Sequence, residues 1–162
     1  MDDTKKRIIN LEKILVPIDF SDYSKNALKY AVPFAKQFGA EILLLYVVEP
    51  TIYPADFGFG QVGFPSIEEE MRKKGTEELE KLAANEIQDI VKWQIIIEMG
   101  KPFTEINRVA KEKNVDLIII ATHGHTGIEH VLFGSTAEKV VRKAPCPVLT
   151  IRTPEHEFVN EE

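Results

Sequence analysis

The sequence holds a single cysteine, Cys146, so neither an intrachain disulfide nor a Cys-rich zinc module can form. One thiol fits a reducing compartment, and the cytoplasm is the expected location. Long hydrophobic runs are missing as well. The longest, Ile42 to Val48, has seven residues, far short of the about 20 that cross a bilayer as a helix. Residues 1–13 mix acids with bases and have neither the apolar stretch nor the small-residue cleavage site of a secretory signal, so export is not expected. Positive charge is in deficit too: 20 Lys and Arg face 26 Asp and Glu, a net charge of −6. That balance speaks against nucleic acid as a partner, because phosphate neutralisation needs a broad basic face, but a small anion could still be held locally by backbone amides. Walker A, GxSxG, HExxH and paired CxxC strings are all absent, which removes the commonest NTPase, hydrolase and zinc-site chemistries.

What is present is one domain's worth of chain, 162 residues against roughly 150 per domain. Its 44% hydrophobic and 28% charged residues are ordinary for a chain that buries a sizeable core. Five apolar segments have strand length: residues 13–18, 42–48, 93–99, 117–121 and 147–151. Most are continuous rather than alternating, as strands read when helices cover both faces of a parallel sheet. Between them run segments of helical period. Ala27, Ala31, Phe34, Ala35 and Phe38 make one stripe, with Ser21 or Asp22 to cap its start and Gly39 its end. A second stretch, about 66–90, carries Ile67, Met71, Leu79, Leu82, Ala83, Ile87 and Ile90 on its inner face. A third begins at Pro102, a favoured first helical position, and buries Phe103, Ile106, Val109 and Ala110. A fourth starts near Ser135 with Val140 and Val141. Pro33 and Gly75 interrupt helical pattern and predict bends rather than breaks, since the apolar period continues through both. The alternation β-α-β-α-β-α-β-α-β makes a single-domain, doubly wound α/β fold with a five-stranded parallel sheet.

Residues 49–65 contain three prolines, three glycines, three phenylalanines and a tyrosine without period, and read as a long loop. Gly58, Gly60 and Gly63 spell GxGxxG, yet they lie ten residues past the second strand and run into Pro65, the wrong context for a dinucleotide turn. Residues 1–12 read as an extension, and the acidic tail from 153 to 162 has no core-forming pattern and is expected to be disordered.

The informative segment is Ala121-Thr122-His123-Gly124, then nine residues, then Gly134-Ser135-Thr136. It leaves the fourth strand at its carboxyl end and enters the fourth helix. In an open α/β sheet the ligand crevice lies outside the carboxyl ends of the strands where the order reverses, and the first and fourth strands flank that point. Gly124, Gly127 and Gly134 let the backbone come close to a ligand, and Gly134, Ser135 and Thr136 set free amides at a helix start, a cradle suited to phosphate. The plainer alternative is that Ser135 with Glu138 forms a capping box. Asp19 and Ser21, leaving the first strand across the same crevice, favour the ligand reading, because an acid there can hydrogen-bond a base or sugar while the amides hold phosphate.

With these residues in view the chain resembles the universal stress protein family, in its ATP-binding branch. The resemblance spans nearly all of 13–152: the opening Ile14-Leu15-Val16-Pro17-Ile18-Asp19-Phe20-Ser21, the strand end Leu45-Tyr46-Val47-Val48, the GxxGx9G(S/T) pattern, and Cys146-Pro147-Val148-Leu149. It implies strand order 3-2-1-4-5, an adenine nucleotide alpha hydrolase-like arrangement. It also implies an adenine pocket at Pro17, Ile18, Asp19, Val47 and Ile120, with Asp19 and the Val47 backbone as polar contacts. Gly124 would run along ribose and phosphates, and Gly134, Ser135 and Thr136 would bind the phosphate chain. ATP, ADP or AMP is the implied ligand, with Mg2+ or Mn2+ carried on the phosphates. The family pattern begins with Gly where this chain has Ala121, which sets a methyl group in or beside the ribose region.

Other residues carry less. His123, His125 and His130 crowd eight positions without a recognised zinc spacing, and Cys146 between two prolines reads as a small buried residue rather than a nucleophile. Three functions stay open: a nucleotide-responsive regulatory module, a slow ATPase or phosphotransferase with Ser135 or Thr136 as acceptor and His123 as base, and an interaction protein with an empty crevice. The apolar last strand, Pro147 to Ile151, lacks the charges that blunt an edge, and both this and the resemblance imply a homodimer through it.

Overall fold

A computed structural model of the chain describes residues 9–49, 64–124 and 133–152. The GxGxxG string, His125, His130 and the acidic tail lie outside them. Five strands and four helices alternate: β1 Lys13–Pro17, α1 Asp22–Phe38, β2 Glu41–Val48, α2 Phe64–Glu86, β3 Trp93–Met99, α3 Pro102–Glu112, β4 Leu117–Ala121, α4 Ser135–Lys143 and β5 Val148–Ile151. The strands form one all-parallel sheet in the order β3-β2-β1-β4-β5. Both the doubly wound class and the strand order agree with the sequence reading.

The continuous apolar runs are explained by two separate cores. Successive strand residues point to opposite faces. Ile14, Val16, Ile42, Leu44, Ile119 and Ala121 therefore meet α1 and α2 on one face. Leu15, Leu43, Leu45, Ile118 and Ile120 meet Ile106, Val109 and Ala110 of α3 and Ala137 and Val140 of α4 on the other. With both faces covered, the interiors of the central strands β1, β2 and β4 are apolar, and the charged Lys13 and Glu41 stand only at the amino ends of β1 and β2.

Helix ends follow from local chemistry. Ser21 is the N-cap of α1, in extended conformation, its side chain accepting the Ser24 N–H at 3.2 Å. Gly39 stops the helix in the left-handed region at φ 71, where a Cβ would be strained. Both α1 and α2 run unbroken through Pro33 and Gly75. The second helix is displaced from its expected bounds. It begins at Phe64 and ends at Glu86, so Ile90 lies beyond it and is exposed. Gln88 is why: it sits at φ 51, and the left-handed turn halts the helix although apolar spacing continues to Ile90. Phe38 and Val141 are likewise exposed rather than on inner faces. Phe38 instead stacks on Phe34, ring centroids 6.4 Å apart.

Candidate functional site

The topology places β1 between β2 and β4, and the chain leaves β1 for one face of the sheet and β4 for the other. The loops at these two carboxyl ends diverge and leave a crevice. A cleft of about 460 Å3 opens there, within the range of small-molecule sites. The structure brings all ten residues singled out above to its wall: Pro17, Ile18, Asp19, Val47, Ile120, Ala121, Gly124, Gly134, Ser135 and Thr136.

One end of the cleft is made of side chains. Pro17, Ile18, Val47 and Ile120 supply apolar surface, and the Ile18 N–H is bound to the Leu45 carbonyl at 2.8 Å, which continues the β1–β2 pairing past the strand end. Asp19 is fixed from its own loop. Its Oδ1 accepts the Ser21 N–H at 3.0 Å and the Ser21 hydroxyl, and its N–H donates to Ser24 Oγ at 3.3 Å. Its Oδ2 lies against Gly124, where a Cβ would collide with it. The bare Cα of Gly124 thus first makes room for the Asp19 carboxylate across the switch point, and only through it for a ligand.

The other end is made of backbone. Gly134 is the N-cap of α4, extended at φ −65 and ψ 154, with no side-chain cap. The alternative Ser135–Glu138 capping box does not form: Ser135 is the first helical residue, and Glu138 bonds instead to Arg142 at 3.0 Å. The first i→i−4 bond runs from the Glu138 N–H to the Gly134 carbonyl at 3.0 Å, so helix geometry gives the amides of Ser135, Thr136 and Ala137 no acceptor within α4. The Gly134 N–H donates to the Thr122 carbonyl at 2.6 Å, and Thr122 N–H donates to the Ile151 carbonyl at 2.9 Å. A Cβ on Gly134 would stand 3.2 Å from that same Thr122 oxygen. Thr122 therefore ties the end of β4, the end of β5 and the start of α4 together.

Sequence reasoning missed several lining residues. Phe20 holds a left-handed φ of 64 and packs its ring 4.8 Å from that of Tyr46. Met71 of α2 reaches the cleft, as do Ser24 and Thr122, and His123, considered above only as a candidate base, lines it too. His123 Nδ1 is 3.0 Å from Thr122 Oγ1, and its ring is 5.6 Å from that of Tyr23. Nothing in the residue type of Phe20 signals positive φ, whereas Thr122 and His123 lie inside the glycine-bounded string and were within reach of the pattern. Among the described residues no Lys or Arg lines the cleft, and no group of three His, Cys, Asp or Glu could hold a metal. Cys146 lies outside the cleft, half-buried, and burial followed by the charge of Asp116 pushes its thiol pKa up, which suits an inert residue.

An apolar pocket and a helix start without a side-chain cap face each other at the switch point of an open, doubly wound α/β sheet, and these features define the class of fold. Residues 10–152 match the model of the universal stress protein family, and the chain belongs to that family. A universal stress protein of Methanocaldococcus jannaschii is 37% identical over 152 residues, covering 90% of this chain and 85% of that one. The solved universal stress protein UspA of Lactobacillus plantarum matches with a TM-score of 0.69 at 27% identity, covering 90% of this chain and all of that one. Two more distant structures share the fold at 20% and 21% identity, with TM-scores of 0.61 and 0.57. The first is a universal stress protein in complex with cAMP, and the second one from Archaeoglobus fulgidus in complex with dAMP. No helix among the described residues is long and apolar enough to cross a membrane.

Proposed function

We propose that the chain binds an adenine nucleotide, ATP or its ADP and AMP counterparts, in the cleft between β1 and β4, and acts as a nucleotide-responsive regulatory module. The observation that carries this reading is the uncapped start of α4 at Gly134, set across the switch point from the fixed carboxylate of Asp19. In this pose the base lies against Pro17, Ile18, Val47 and Ile120, with Asp19 and the Val47 backbone as its polar contacts. Ribose passes Ala121 and Gly124. The phosphates reach the amides of Ser135, Thr136 and Ala137, where the helix dipole adds a favourable field. A divalent Mg2+ or Mn2+ riding on the phosphates supplies positive charge that no Lys or Arg among the described residues of the cleft wall provides. The cAMP and dAMP complexes show that relatives of this fold hold adenine nucleotides; for this chain the reading stands on its own residues.

Calorimetry with ATP, ADP and AMP in the presence of magnesium tests it. Saturable binding of ATP that GTP does not match supports the reading, and no heat from any of the three removes it. A phosphate-release assay on the same preparation separates a regulatory module from a slow ATPase.

The same reading includes a homodimer through β5. Among the described residues Val148–Ile151 pairs only with β4 and ends the sheet, with Leu149 half-buried on it. Pairing with a second copy would satisfy that edge. Leu149→Asp should give monomers by light scattering, and an unchanged dimer would refute this surface.

A further inference from the structure

Gly75 lies in mid-α2, where glycine weakens a helix relative to alanine and no turn of the backbone calls for it. A Cβ built on it would stand 2.7 Å from Cδ1 and 3.0 Å from Cε1 of Tyr46, and 3.5 Å from Cδ1 of Ile97. The first contact is closer than side-chain carbons approach one another, so the space that Gly75 leaves is the space the Tyr46 ring uses. That ring packs at 57° against Phe20, and both residues line the cleft. Neither can give way through its backbone. Tyr46 sits within β2, opposite Ile97 of β3, and Phe20 is held in the left-handed region between Asp19 and the cap of α1. A side chain at position 75 would therefore turn the Tyr46 ring away from α2, towards Phe20 and the cleft.

We infer that Gly75 is a positioning residue for the base end of the cleft: its bare Cα lets Tyr46 lie back against α2, and this sets the width open to a ligand. The effect on binding rests on the nucleotide reading above, whereas the ring position does not.

The test uses the full chain as wild type, Gly75→Ala, Tyr46→Leu and the double variant, with two readouts. The first, without ligand, is the NMR resonances of the Tyr46 and Phe20 rings. The second is calorimetry with ATP, AMP and adenosine. Gly75→Ala should shift both rings and weaken all three ligands by a similar factor, about tenfold or more, because the crowded end is common to them and overpacking costs of this kind are of that order. The double variant should bind to within roughly threefold of Tyr46→Leu alone, since the clash is gone. Unshifted rings overturn the steric role. Shifted rings with unchanged affinities overturn the role in binding. Should Gly75→Ala fail to fold, a folded double variant supports the assignment and an unfolded one overturns it. A wild type that binds none of the three ligands sinks the nucleotide reading, while the ring shifts still decide what Gly75 does.

Discussion

The two ends of the sheet are built differently. At the amino ends of the strands the loops are short and tied down. Asp116 Oδ2 accepts the N–H groups of Glu12 and Lys13 at 2.8 and 2.9 Å, the Glu41 N–H reaches the Glu12 carbonyl, and the Asp116 N–H reaches that of Lys13. Left-handed residues there, Gly39, Gln88 and Asn114, serve as stops after α1, α2 and α3. At the carboxyl ends, among the described residues, the one left-handed residue that is not glycine is Phe20, which lines the cleft, and α4 begins without a side-chain cap. Hydrogen-bonding capacity ties the loops together at one end, and at the other the proposed reading leaves the first amides of α4 to a ligand. Damage to the first end should therefore cost folding and spare binding, and damage to the second should do the reverse.

The largest expected effect is at the amino end. Asp116→Ala removes an acceptor shared by two backbone amides and should lower unfolding free energy by about 2–3 kcal/mol in urea titrations, with nucleotide affinity unchanged. A loss of affinity without a loss of stability would erase the distinction between the ends. Next comes the phosphate end, where the donors are amides. Ser135 is the first residue of α4 and Gly134 before it is already extended, so Ser135→Pro deletes one N–H while keeping the helix. It should weaken ATP by about tenfold or more, while Ser135→Ala changes affinity by less than about threefold and neither variant lowers the melting temperature appreciably. Equal losses from both would mean that the hydroxyl, not the amide, is the ligand's partner.

Smaller effects sharpen the same contrast. Gln88 is exposed and left-handed, so Gln88→Gly should relieve strain and raise stability by roughly 0.5–1 kcal/mol in thermal unfolding, without touching binding. The smallest concerns Cys146. Because burial raises its pKa, iodoacetamide should modify it more slowly at neutral pH than it does a free thiol, and the rate should climb only at more alkaline pH. Rapid neutral-pH alkylation would contradict the inert assignment.

The sequence carried the strands almost to the residue, because a strand buried on both faces has to be apolar throughout and the central runs have few other uses. Helix ends were read less well. The spacing of Ile87 and Ile90 continues the apolar period past Glu86, and only the backbone turn at Gln88 ends it. Ser135 left its alternative open for a similar reason: a Ser with Glu three residues on looks the same whether Ser or the residue before it is the cap. The glycines and Asp19 were legible because a close backbone approach and a carboxylate after a strand are unusual. Tyr46 and Phe20 were not, since an aromatic residue in an apolar stretch reads as core until its neighbour, here Gly75, is known.

A crystal structure of the chain grown with ATP and magnesium would show directly whether the cleft between β1 and β4 holds the nucleotide. The base should lie against Pro17, Asp19 and Val47 and the phosphates at the start of α4, within hydrogen-bond distance of the Ser135 and Thr136 amides. A cleft filled by the protein's own side chains, or a nucleotide bound elsewhere, would contradict this placement.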